Sequence, residues 1–124
     1  MIEDHSAPSL KSVLRGAVGV WLRERISALI LLILTPWFAL WVAQLPLNTH
    51  ESFVAWVINP WHYIPLLAFV FLSCYHTLLG LESIILDYVH PPRTRLYVLG
   101  FVKFFLLAVL IAVCAAVFWL SRET

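Results

Sequence analysis

Charged residues are scarce in this sequence, and the shortage limits the classes of protein to which it can belong. Only 12% of the 124 residues are charged, whereas a soluble domain carries about 25%. Hydrophobic residues make up 62% of the chain, and a soluble domain of this size buries only about two-thirds of its surface. Because water would contact much of the remaining apolar surface, the composition predicts an integral membrane protein with a single domain over residues 1–124.

The sequence also lacks a cysteine framework and a basic patch. Cys74 and Cys114 both lie in apolar stretches, where free cysteines usually pack as small core residues, so we predict neither a disulfide nor a Cys-based metal site. The net charge is only +1, which gives no case for a nucleic acid partner. Residues 1–20 contain no apolar run of signal-peptide length and do not have the Arg-rich, acid-poor composition of a transit peptide, which favours the bacterial inner membrane over the mitochondrial one.

Three long apolar segments predict an all-α integral membrane fold with three transmembrane helices. The predicted spans cover residues 22–44, 61–86 and 97–120. Each has at least the roughly 20 residues needed to cross a hydrocarbon core about 30 Å thick. Pro36 falls inside the first span and Pro65 near the start of the second, and prolines are tolerated at both kinds of position in membrane helices.

The distribution of basic residues predicts the direction of the spans. The loop at residues 45–60 contains no lysine or arginine. Within this loop, residues 49–59 are predicted to form an interfacial helix. Glu24 is expected among the lipid headgroups. Since basic loops stay in the cytoplasm, we predict a cytoplasmic N-terminus, with residues 1–20 as a cytoplasmic segment. The basic residues on the predicted cytoplasmic side are Lys11, Arg15, Arg23, Arg25, Arg93 and Arg95.

One face of the second predicted span collects polar residues and a glycine. At 100° per residue, this face, about 60° wide, holds His76, Gly80, Ser83 and Asp87. A polar group inside a bilayer needs a partner or a function. A neutral imidazole can ligate haem iron through its unprotonated nitrogen, and Gly80 leaves room beside His76 for a flat or bulky group.

His76 also has a simpler interpretation. It can form a hydrogen bond across the helix bundle, with Gly80 serving only to let two helices approach. No other histidine lies deep in a predicted span, because His62 is at a span edge and the rest are in loops or the N-terminal tail. If haem iron takes two histidine ligands, the second must therefore come from a partner subunit.

Residues near the cytoplasmic ends of the first two spans form a second candidate site. Asp87 and Tyr88 end the second span, and Pro91 and Pro92 stop its helix. The Tyr88 phenol can donate to a carbonyl oxygen of a lipid-soluble ligand, and Asp87 can orient the phenol or relay a proton. Arg25, predicted at the same depth as Tyr88, suits a haem propionate or a quinone oxygen. Ordinary interfacial roles are the alternative for all three.

The run from His76 to Val89 resembles the signature of the hydrophobic membrane anchor subunit of succinate dehydrogenase, the smaller of the two cytochrome b556 anchor chains. That family has a histidine, a glycine four residues later and Asp-Tyr-Val seven residues after the glycine, which correspond here to His76, Gly80 and residues 87–89. The stretch at residues 21–28 resembles the family's Arg-x-Ser/Thr-Ala motif. The Ser-x-x-His-Arg segment of the companion anchor is missing from the first span.

The resemblance implies roles for individual residues. It implies that His76 is one axial ligand to the iron of haem b, and that Tyr88 donates a hydrogen bond to ubiquinone with Asp87 in the same site. It implies that Arg25 lies near both the haem propionates and the quinone. The haem pocket would include Arg25, Gly80 and Ser83.

The resemblance also implies the partners. A flavoprotein subunit would oxidise succinate, and an iron–sulfur subunit would carry electrons to quinone near the cytoplasmic face. A companion cytochrome b anchor would share the haem, and this chain would not be catalytic by itself. Two alternatives stay open: an anchor of a fumarate reductase-type menaquinone enzyme, and a haem-free structural or assembly protein.

Overall fold

The structure, a computed structural model, describes residues 8–123, which form four helices and no strand. The helices are α1 (Leu10–Val42), α2 (His50–Val57), α3 (Pro60–Tyr88) and α4 (Pro92–Arg122). Three of them, α1, α3 and α4, are long and apolar enough to cross a membrane. The predicted all-α membrane fold with three spans is confirmed.

Helix α1 begins well before the first predicted span. Its first turn is capped by Ser9, whose side chain accepts a hydrogen bond from the Ser12 backbone N–H at 3.3 Å. At 1.5 Å per residue, its 33 residues measure about 50 Å, whereas the hydrocarbon core is about 30 Å thick. The first turns, which contain Lys11 and Arg15, therefore extend beyond the hydrocarbon core when the rest of α1 crosses it.

The short helix α2 confirms that residues 49–59 contain a helix. Thr49 caps it by accepting a hydrogen bond from the Ser52 backbone N–H at 3.2 Å. Val54 and Val57 are two of the few buried apolar residues in the described part of the chain. Helix α2 is therefore packed against the bundle by one face.

An aromatic cluster attaches α2 to α1 and α3. The Trp56 ring lies 4.5 Å from the Trp41 ring and stacks on the His62 ring at 4.1 Å, centroid to centroid. The Nδ1 atom of His62 is 2.6 Å from the Trp56 carbonyl oxygen. These contacts bring the last turn of α1 and the first turn of α3 to the same end of the bundle, called the α2 end below.

The opposite end of the bundle, called the Tyr88 end below, contains the turn from α3 to α4. The Arg95 guanidinium donates to two carbonyl oxygens at the end of α3, through Nε to Val89 at 3.0 Å and through Nη2 to Leu86 at 3.3 Å. A cation is favourable there because the last carbonyls of a helix lack partners within the helix. Arg95 is thus part of the packed turn, although its sequence position indicated only a charged loop residue.

Helix α3 lies between the other two spans. It packs against both α1 and α4, and within the described residues α1 and α4 have no close backbone contact with each other. Phe38 of α1 stacks on Phe69 of α3 with 4.1 Å between ring centroids. Because Ser27, earlier in α1, meets His76, later in α3, the two helices are antiparallel. From Glu24 onward, the positions of α1 that are not exposed recur at the three- and four-residue spacing of one helix face: Glu24, Ser27, Ala28, Leu31, Leu34, Phe38 and Trp41.

Most of the apolar surface remains uncovered. The buried hydrophobic residues of the described chain are Val54, Val57, Leu79 and Ile85. Large apolar side chains are exposed along α1, α3 and α4, in helices that have membrane-spanning length. Lipid or other subunits must cover these surfaces, because water would be an unfavourable neighbour.

Candidate functional site

His76 is held by a hydrogen bond across the α1–α3 interface. Its Nδ1 atom lies 2.8 Å from Oγ of Ser27. Ser27 is only 3% exposed and is the one buried polar residue in the described chain. Its hydroxyl also donates to the Glu24 carbonyl oxygen at 3.0 Å. No described residue bonds to Nε2, the other ring nitrogen of His76, which therefore remains available to a ligand from outside the chain.

A second polar contact joins the same two helices nearer the Tyr88 end. The Ser83 hydroxyl donates to a carboxylate oxygen of Glu24 in a short hydrogen bond. Glu24 is half-buried and does not project freely among lipid headgroups as the sequence indicated. The single hydroxyl proton of Ser83 is used in this bond, so Ser83 cannot donate to a haem propionate unless the contact with Glu24 breaks.

Gly80 lies on α3 between these two polar contacts. A Cβ atom added at Gly80 would meet nothing within 4 Å. The glycine is therefore not needed for close approach of α1 and α3 in this chain. Among the described residues, Gly80 therefore does not serve to bring two helices together. Its missing side chain instead leaves free space beside His76.

An apolar groove opens on the surface beside Ser27. Its volume is about 210 Å³, below the roughly 300–1,000 Å³ of pockets that enclose most of a ligand. This groove alone does not enclose a large ligand, so another chain or lipid must complete such a site. The groove is lined by Arg23, Ile26, Ser27, Ile30, Leu72 and Tyr75.

Arg25 lies away from the contacts of Ser27. It is about 160° around α1 from Ser27, it is exposed, and its guanidinium carbon lies 5.7 Å from the centroid of the Trp21 ring. Since neighbouring Glu24 pairs with Ser83, Arg25 is level with the turn of α3 near residue 82. Tyr88 lies about 9 Å farther toward the end of α3. This arrangement differs from the common depth that the sequence predicted for Arg25 and Tyr88.

The two residues that end α3 are both open to the surroundings. Tyr88 is 78% exposed, and Asp87 is also exposed. No hydrogen bond or ion pair within the described chain links either side chain to the other or to Arg25. The structure therefore brings together His76, Gly80 and Ser83, but it does not join Arg25, Asp87 and Tyr88 into a closed pocket.

The other described histidines have contacts near the ends of helices. Nε2 of His50 lies 4.0 Å from the Glu123 carboxylate at the α2 end, where His62 stacks on Trp56. Nδ1 of His90 lies 3.1 Å from the Tyr88 carbonyl oxygen. His5 is outside the described residues. Within residues 8–123, no group of three or more His, Cys, Asp or Glu residues could hold a metal ion, so His76 is available as a single ligand and not as part of a metal cluster.

Sequence reasoning missed Ser27 and Glu24 as members of this site. The sequence did contain a signal for both residues. Glu24 and Ser27 are three residues apart and therefore share a face of α1, and Ser27 is a polar residue at the start of an apolar run. The pairing with His76 and Ser83 could not be deduced from that signal, since it depends on the rotation and register of two separate helices.

Comparisons with known proteins agree with this architecture. Residues 9–118 match the family described as succinate dehydrogenase/fumarate reductase transmembrane subunit. The chain is 33% identical over 100 residues to the succinate dehydrogenase hydrophobic membrane anchor subunit of Rickettsia bellii (strain RML369-C), with 80% of this chain and 79% of that one covered.

A second relative extends the similarity to nearly the full length. The chain is 25% identical over 124 residues to the protein of the same name from Rickettsia conorii (strain ATCC VR-613 / Malish 7), with 96% and 98% of the two chains covered. No solved structure matches the chain. The match over residues 9–118 and the similarity to these relatives show that the chain belongs to the succinate dehydrogenase/fumarate reductase transmembrane subunit family.

Proposed function

We propose that this chain is the hydrophobic membrane anchor subunit of a succinate:quinone oxidoreductase and supplies one axial histidine to a shared haem b. One observation carries the proposal: His76, inside an apolar span, is anchored through Nδ1 while Nε2 has no partner among the described residues. A neutral imidazole with one nitrogen anchored and the other free is the form that ligates metals. The two Rickettsia relatives, both named succinate dehydrogenase hydrophobic membrane anchor subunits, support the role of the whole chain.

The residues around His76 fit a haem at the surface of this chain. Nε2 of His76 would hold the iron, and the free space beside Gly80 would receive the edge of the macrocycle. Haem b, when bound, supplies a one-electron redox centre. A companion anchor subunit would provide the second histidine, because the other described histidines lie near helix ends.

The quinone site would be built at the Tyr88 end. The exposed Tyr88 phenol would donate a hydrogen bond to a ubiquinone carbonyl oxygen, and such donors favour the reduced form on which negative charge develops. Asp87 would orient the phenol or relay a proton to the quinone. Arg25 would interact with a haem propionate or a quinone oxygen on the outer surface of α1. These side chains are exposed in the single chain, which is expected if the companion and iron–sulfur subunits close the pocket.

The basic residues support a cytoplasmic position for the Tyr88 end. Lys11 and Arg15 precede the first membrane crossing, and Arg93 and Arg95 lie in the first turn of α4. By the positive-inside rule, the N-terminus and this turn would face the cytoplasm of a bacterium. The iron–sulfur and flavoprotein subunits would then dock on the same side, where electrons from succinate reach the quinone.

Purification of the tagged chain from its native membrane tests the proposal. We expect an iron–sulfur subunit, a flavoprotein subunit and a second anchor to co-purify, with a b-type band in the reduced-minus-oxidised absorption spectrum. An unrelated three-span protein carrying the same tag is the control. If the chain purifies without these subunits and without the pigment, the proposal is wrong.

A haem-free structural or assembly protein is the second candidate, and one contact favours it. The Ser27–His76 hydrogen bond is the contact that a purely structural histidine would form across a bundle. The absorption spectrum distinguishes the candidates, because a structural histidine gives no b-type band. A fumarate reductase-type enzyme with menaquinone would use the same kind of site in the opposite direction, and quinone analysis of the purified complex would identify it.

Gly80 offers a sharp test of the haem position. Gly80→Leu should lower the haem content of the complex, because the new side chain would occupy the space beside His76. Gly100→Leu in α4 is the matched control, since a Cβ atom at Gly100 also meets nothing within 4 Å. Haem per assembled complex, measured from the absorption spectrum, should fall in the first variant alone. Equal haem content in the two variants would place the macrocycle elsewhere.

A further inference from the structure

The Ser27 hydroxyl is the common member of two hydrogen bonds. Its oxygen lies 3.0 Å from the Glu24 carbonyl oxygen and 2.8 Å from Nδ1 of His76. The residue is 3% exposed, so water does not compete for these bonds. A buried hydroxyl with two partners leaves few possible positions for its proton.

Proton counting determines the direction of the bond to His76. A carbonyl oxygen can only accept, so the Ser27 hydroxyl must give its single proton to the Glu24 carbonyl. The hydroxyl oxygen then accepts, and Nδ1 of His76 must be the donor. The reverse arrangement, in which Ser27 donates to Nδ1, would lose the bond to Glu24. Both bonds exist together only when the proton of the neutral ring is on Nδ1.

We propose that Ser27 is a positioning residue that fixes the tautomer and orientation of His76 so that the Nε2 lone pair faces the haem iron. This inference rests on the proposed haem ligation. With the proton on Nδ1, a neutral imidazole carries its free lone pair on Nε2, which is the form required of a ligand. If the proton were on Nε2, the same ring could not bind iron through that atom.

The Glu24 carbonyl strengthens the effect of Ser27. A hydroxyl that donates to a carbonyl becomes a better acceptor, because hydrogen bonds in a chain polarise one another. A stronger bond from Nδ1–H to Ser27 makes the imidazole a better electron donor to iron. The ligand is thereby linked to the backbone of α1, although His76 itself belongs to α3.

The test compares variants of Ser27 in the intact complex purified from membranes. Ser27→Ala removes the hydroxyl, and Ser27→Thr retains a hydroxyl that can still bond to a carbonyl one turn earlier. Ser73→Ala is the control for loss of a serine inside a span, because Ser73 lies on α3, three residues before His76, and not on α1. The measurements are haem affinity, the midpoint potential of haem b and the low-spin electron paramagnetic resonance spectrum of its oxidised form.

We expect Ser27→Ala to weaken haem binding by roughly 10- to 100-fold, the usual effect of losing a partner of a metal-bound histidine. The midpoint potential should rise, because an imidazole that donates less electron density stabilises ferric iron less well, and the low-spin spectrum should shift. Ser27→Thr and Ser73→Ala should retain wild-type values.

Several results would overturn the inference while leaving haem ligation by His76 intact. Wild-type affinity and potential in Ser27→Ala would show that the hydroxyl only fills space. Lower haem content with an unchanged potential and spectrum would indicate a packing role, and so would a Ser27→Thr variant that behaves like Ser27→Ala. Absence of haem from the wild-type complex would instead refute the proposed function itself.

Discussion

Replacement of His76 by alanine should eliminate haem b from the complex. Nε2 of His76 is the one histidine nitrogen in the middle of a described span without a partner, and alanine offers no ligand in its place. Loss of a partner outside the coordination sphere already weakens metal binding by about 10- to 100-fold, and loss of the ligand itself should cost more than that. The reduced-minus-oxidised spectrum of the purified complex should therefore lack the b-type band.

Two further variants separate loss of the ligand from loss of the helix contact. His76→Ala also removes the hydrogen bond to Ser27, so loss of haem from this variant alone does not distinguish a missing ligand from a weakened α1–α3 interface. His76→Gln retains a polar side chain that can bond to Ser27 but ligates iron poorly, and we expect it to assemble without haem. His50→Ala is the histidine control at the exposed α2 end. An unchanged band in His76→Ala would favour the haem-free structural protein.

The three spans were predictable because each is a long apolar run that interacts mainly with its surroundings. The face that contains His76, Gly80 and Ser83 was also predictable, since these residues belong to one helix and their directions follow from its 100° step. Both predictions depend on local sequence only. Helix α1 begins at Leu10, before the predicted span that starts at residue 22, because Ser9 caps its first turn and residues 10–21 contain no proline.

The contacts between helices could not be predicted in the same way. Ser27 and His76 are far apart in the sequence, and their meeting depends on the relative rotation and register of α1 and α3. Glu24, which lies between two arginines, gave the pattern of a headgroup residue, yet its carboxylate accepts from Ser83. A small rotation of α1 would have placed Glu24 in the position that the sequence indicated.

The exposure of the residues proposed to bind quinone explains why they do not meet in the single chain. Arg25, Asp87 and Tyr88 are all exposed, and an exposed polar residue at the end of a span is compatible with either solvent or a partner subunit. The single chain provides the interface that holds His76, whereas a pocket at the Tyr88 end needs walls from other chains. The contacts of His76 could therefore be located in one chain, whereas the proposed quinone pocket depends on assembly with other chains.

Replacement of Tyr88 by phenylalanine should slow quinone reduction without loss of assembly or haem. The variant lacks only the phenol oxygen, and the Tyr88 side chain is 78% exposed with no described hydrogen bond that would be lost. We expect the turnover number with ubiquinone to fall by about 10- to 100-fold, between the effect of a neutral hydrogen bond and that of a donor to a developing oxyanion. Succinate-dependent reduction of a soluble dye, which takes electrons before the quinone site, should be unchanged.

Tyr97→Phe is the matched control for this prediction. Tyr97 lies near the start of α4, at the same end of the bundle, and is 77% exposed, so the two variants remove the same group from similarly exposed positions. If both variants reduce quinone at the wild-type rate, the Tyr88 phenol is an ordinary interfacial group and the proposed quinone contact is wrong. A lower rate of both quinone reduction and dye reduction would indicate damage to the succinate-oxidising subunits instead. A lower rate in Tyr88→Phe alone, with dye reduction and the b-type band preserved, would mean that the phenol acts on the quinone.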